Sequence, residues 1–94
     1  MKFKVGDIVV FSGDAKRYMA RALILDEEKL NVLMKIVRTE AHGKIFVREL
    51  ITNVPIVLLG DSHLNVTKIG STFYESEFNF ANPLKIAKYR MKNA

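Results

Sequence analysis

At 94 residues the chain is long enough for one hydrophobic core and too short for two. Its 49% hydrophobic and 27% charged residues exclude a disordered chain, and the absence of cysteine excludes both a disulfide framework and thiolate metal sites. A formal charge of +5 favours anionic partners such as nucleic acid, although so small a surplus also occurs in proteins that bind none.

In chain order, "MKFKVGDIVVF" opens with a basic residue, but Asp7 interrupts the apolar run and no small-residue cleavage site follows. A signal peptide is therefore not expected. No stretch is long enough to span a bilayer as a helix, and a single cytoplasmic domain over residues 1–94 is the expectation. Ile8 to Phe11 is apolar on both faces, as is Ala22 to Leu25, and both runs read as buried strands. Ile24 then falls at the middle of a strand and is expected in the core, as is Met34. Between the two runs, "SGDAKRYMAR" reads as a basic turn.

Asp26 to Asn31 reads as a tight turn leading to a strand through Val32, Met34 and Ile36. "AHGK" places Gly43 where a hairpin needs a positive φ, followed by a strand containing Ile45 and Val47. "VPIVLLGD" gives a further strand opened by Pro55, a residue tolerated at that position. "NVTKIGSTFYESEF" predicts a hairpin about Gly70 and Ser71, pairing Ile69 with Thr72 and Lys68 with Phe73. Tyr74, Ser76, Phe78 and Phe80 would share one face of its returning strand. At the end, Asn82 and Pro83 are cap and first residue of a short helix with Leu84, Ala87 and Met91 on one face, although Leu84 and Ile86 also suit a closing strand. Many short strands with little helix predict a mainly β fold, a small antiparallel barrel with a C-terminal hairpin and at most one short helix, at the C-terminus.

From about Lys4 to Val37 the chain resembles the KOW motif of ribosomal proteins and NusG-type elongation factors, carried by Gly6, Asp7, Val9, Gly13, Lys16 and the "LILDEEKLNVLM" hairpin. The resemblance implies an SH3-like barrel that contacts nucleic acid or a protein of the transcription or translation machinery. The family has glycine directly after the turn lysine and again at the entry to the next strand. Here Arg17 and Ala20 stand in those places, and arginine incurs a steric penalty if the turn needs a positive φ.

The resulting cluster of Lys16, Arg17 and Arg21 around Tyr18 suits a nucleic-acid contact, with cations for phosphates and a ring for an unpaired base. A solvated loop is the plain alternative. Lys85, Lys88, Arg90 and Lys92 form a second basic group, either a phosphate contact or a frayed terminus. Phe73, Tyr74, Phe78 and Phe80 could offer a stacking platform but read more naturally as core. His42 and His63 lie in turns without converging ligands, and Glu75 and Glu77 lie on a strand face without a catalytic partner, so no metal, cofactor or catalytic residue is expected.

The favoured reading is a non-catalytic module binding DNA or RNA through the basic turn and tail. A barrel that binds RNA polymerase, the ribosome or another host protein, as a phage or bacterial regulator, is the second. A ribonuclease toxin resembling MazF and PemK, which also open with "GDIV", is the third. Its usual Arg-Pro pair is missing where "YMARALIL" stands.

Overall fold

The computed structural model describes residues 2–24, 26–56, 58–61, 66–69 and 73–93, with segments 58–61 and 66–69 described by backbone alone. Strand β1 spans Ile8–Phe11, as its apolar run predicts. The stretch after it is a helix, α1, Gly13–Leu23, where the sequence suggested a turn and a strand. Its signals are local. Ser12 caps it by accepting the Ala15 amide at 3.1 Å, Asp14 sits in the first turn, and Arg17 bonds back to Asp14 one turn away. Ala15, Met19 and Leu23, spaced by four, form its buried stripe. Arg17 and Ala20 therefore lie inside a helix, where both are good formers and neither needs a positive φ.

Ile24 is not a core residue. It ends α1 in the left-handed region at φ 54° and is 69% exposed. Residues 26–31 are not a hairpin turn either: Asp26 caps a 3-10 turn over Glu27–Leu30 that carries the chain from α1 to β2 and buries Leu30.

Strands β2 (Met34–Glu40) and β3 (Lys44–Glu49) form the expected antiparallel hairpin, with Gly43 at φ 75°. His42, beside it, is also left-handed at φ 65°. β4 (Leu58–Asp61) and β5 (Val66–Ile69) pair with each other, Leu58 against Ile69 and Leu59 against Lys68. Pro55 stands apart from β4, in an isolated bridge to Arg48. β6 (Phe73–Tyr74) pairs with β3, placing Phe73 opposite Ile45, so the expected C-terminal hairpin is replaced by two different partnerships. The turn proposed at Gly70 and Ser71 lies outside the described residues. After β6 a 3-10 turn over Glu75–Glu77 leads to β7 (Phe78–Phe80), which returns to pair with β1.

The main sheet has the order β6-β3-β2-β1-β7, so its two edge strands are consecutive in sequence. A flat sheet of five strands would hold those edges about 19 Å apart at ~4.8 Å per step. The 3-10 turn between them advances only about 2 Å per residue. The sheet curls so that its edges approach, and the antiparallel mainly β fold expected from the sequence takes the form of a curled, barrel-like five-stranded sheet. Inside it Phe11, Phe73 and Phe78 lie with ring centroids 5.4 to 5.8 Å apart, surrounded by Val9, Met34, Ile36, Ile45 and Val47. Phe3 and the buried stripe of α1 complete the same cluster.

Helix α2 spans Pro83–Lys92, with the Asn82 side chain accepting the Lys85 amide at 2.8 Å and Pro83 in the first turn. Its packed side carries the half-buried Ile86 and Tyr89. The face that carries Leu84 and Met91 is open: they are 64% and 80% exposed. The 3-10 turn separates Tyr74 and Ser76 from Phe78 and Phe80, which alone share a face of β7: both rings lie against Phe3, with Phe78 buried and Phe80 52% exposed. No helix among the described residues is long and apolar enough to cross a membrane.

Candidate functional site

The helical geometry divides the basic cluster of residues 16–21. At about 100° per residue, Lys16 flanks the buried stripe of α1, while Arg17, Tyr18 and Arg21 point away from the barrel. Tyr18 is 74% exposed, and Arg17 is paired with Asp14. These three residues form one exposed face. Lys16 turns instead toward the chain entering β2, where its Nζ donates to Asn31 Oδ1 at 3.0 Å.

That turn places Lys16 in a cleft of about 460 Å³ between α1 and α2. Its apolar lining is Val10, Phe11, Leu30 and Leu33, and its polar lining is Lys16, Asn31, Asn79 and Lys85. The two basic segments of the sequence thus meet through one residue each. An ammonium carries three donors, so Lys16 keeps donors to spare beyond its bond to Asn31, and two lysines with two amides suit the oxygens of a phosphate. Lys88, Arg90 and Lys92 do not line this cleft. Lys88 and Lys92 are exposed along α2, with Arg90 on another side of the helix.

Glu49 ends β3 on the side of the sheet that faces Tyr89 of α2. Burial pushes the Glu49 carboxyl up, but the hydrogen bonds it accepts from the Ile51 and Thr52 amides and the Thr52 hydroxyl, with a smaller contribution from the nearby Tyr89 hydroxyl, hold it below the ordinary carboxylate range. Tyr89 is shifted up, first by burial and then by the charge and hydrogen bond of Glu49.

A second depression, of about 610 Å³, joins Arg17 and Tyr18 to Ser12, Ser76 and Glu77. Glu77 is half-buried there, and burial raises its pKa. Glu75 and Glu77 belong to the 3-10 turn and not to a strand face, and Glu75 lies beside Gly43. Phe73 and Phe78 are core, which removes them from any stacking platform. His42 is exposed in the β2–β3 turn, and His63 lies outside the described residues. Among the described residues no group of three or more His, Asp or Glu side chains is placed to hold a metal ion.

Sequence reasoning missed the outer face of β2 and β3. The register shifts between Ile36 and Arg38, a bulge at Val37 that brings Arg38 opposite Phe46 and Glu40 opposite Lys44. Strict alternation would have turned Arg38 inward. Instead its guanidinium lies 4.2 Å from the centroid of the Phe46 ring, with Lys44 Nζ at 5.6 Å. Lys35 stands directly opposite Arg48. The alternation of Lys44, Phe46 and Arg48 was the available signal.

Fold and cleft together define a small, mainly β domain whose curled five-stranded sheet is flanked by two basic helices. No protein-family model matches the chain, and neither a curated protein nor a solved structure matches it.

Proposed function

We propose that the chain is a non-catalytic cytoplasmic module that binds DNA or RNA through its backbone, using α1 and α2. The cleft that joins Lys16 to Lys85 carries this reading, because it converts two basic segments distant in sequence into one concave cationic site. Arg17, Tyr18 and Arg21 extend the contact along α1, and Lys88, Arg90 and Lys92 along α2. Titration of labelled duplex DNA, single-stranded DNA and RNA at two salt concentrations tests it. On duplex DNA, Lys16→Ala with Lys85→Ala should weaken binding and flatten the slope of log affinity against log salt by about 0.9 per cation removed. Unchanged affinity and slope in a folded double variant would refute the assignment, and RNA recovered cleaved would favour ribonuclease chemistry.

A protein partner in transcription or translation is the second reading, favoured by the exposed Leu84 and Met91 on the outer side of α2. Leu84→Lys with Met91→Lys should then abolish capture of polymerase or ribosomal components from nuclease-treated lysate while leaving nucleic-acid titrations unchanged.

A further inference from the structure

We infer that the outer face of β2 and β3 is a second binding surface, specific for single-stranded nucleic acid. The inference rests on the nucleic-acid reading and extends it to residues on the opposite side of the sheet from the core. A groove of about 360 Å³ runs over Val37, Phe46 and Pro55, with Arg38 and Arg48 also in its lining. The Arg38 guanidinium lies over the Phe46 ring while pairing with Glu40 at 3.3 Å, which leaves the pair as a surface on which a base can stack and leaves phosphate contact to Lys35 and Arg48.

Charge complementarity identifies the occupant as an anion. Lys35 and Arg48 face each other across the β2–β3 ladder, an arrangement that opposes folding, and neither has an acidic partner among the described residues. A polyanion on this face would neutralise both. The aromatic floor then discriminates between polyanions. A duplex presents its phosphates and keeps base faces stacked inside, leaving Phe46 unused, whereas a single strand offers phosphates and base faces together. An acidic peptide gains less here. The edge of β3 beside the groove is already bridged by the following segment, with the Glu49 amide donating to Val54 O at 2.9 Å and the Ile56 amide to Val47 O at 3.4 Å, so no open edge receives an extended chain.

The test compares two variant sets against oligo(dT), oligo(rU), duplex DNA and poly-glutamate, with thermal melts of each protein. Phe46→Ala should lower single-strand affinity by roughly five- to a hundredfold and leave duplex affinity unchanged. Phe46→Leu retains apolar packing if the alanine variant melts early and should show the same selectivity. Lys35→Ala should flatten the single-strand salt slope by about 0.7. Lys16→Ala with Lys85→Ala serves as the second set. If that set loses binding while the folded sheet variants keep parental single-strand affinity, the sheet inference falls and the helix cleft stands. Loss of poly-glutamate binding equal to the loss of oligonucleotide binding in the sheet variants would also overturn it, in favour of an acidic polypeptide. A parent chain that binds none of the nucleic acids removes both readings.

Discussion

Glycine and alanine at position 24 should rank in the order opposite to that expected for a strand. Ile24 sits at φ 54° and ψ 49°, where a residue with a Cβ is strained by roughly 1–2 kcal/mol and glycine is not. Ile24→Ala and Ile24→Gly both remove a side chain that is 69% exposed, so their difference isolates the backbone. Glycine brings an entropic penalty of roughly 0.5–1 kcal/mol from its freer unfolded chain. The balance leaves Ile24→Gly more stable than Ile24→Ala by up to about 1.5 kcal/mol, which for a domain of this size corresponds to a melting difference of up to about 12 °C. Paired thermal melts with urea titrations of matched m-value provide the measurement. An alanine variant more stable than the glycine variant would refute the left-handed cap. A loss of about 2–5 kcal/mol in Ile24→Ala, the range for a buried aliphatic side chain, would return the residue to a strand in the core.

Met34 is fully buried, so Met34→Ala should cost about 2–5 kcal/mol by urea denaturation, and a loss below 1 kcal/mol would mean that the site collapses around the cavity. The two shifted glutamates should act on stability with opposite signs. Glu49 has a folded pKa below its unfolded value, so its contribution is present above the unfolded value and lost as pH falls through the folded one. Glu49→Gln should therefore destabilise the chain at neutral pH and remove part of its acid sensitivity. Glu77 has a raised folded pKa, so the protonated form favours folding and stability falls as pH rises from the unfolded to the folded value. Glu77→Gln should raise neutral-pH stability relative to the parent and abolish that fall, measured as melting temperature against pH.

Local signals determined several elements by themselves. The apolar run of β1, the positive-φ glycine between β2 and β3, and the Asn82-Pro83 start of α2 each act within a few residues, and each is read directly from the chain. The Ser12 cap and the spacing of Ala15, Met19 and Leu23 also announce α1 locally, but Ala22 to Leu25 competes as an apolar strand because short apolar runs carry no distinguishing period. Tertiary structure decided what no turn residue encodes: the partners of β5 and β6, and the closure that makes β6 and β7 opposite edges of one curled sheet. It also selected the working residues. Lys16 and Lys85 line one cleft only because α1 and α2 flank the same curled sheet, and Arg38 reaches Phe46 only because a bulge shifts the register. Helix caps and hairpin turns are short-range and legible, whereas strand partnership follows from burying one shared core, which selects among pairings that the local sequence leaves equivalent.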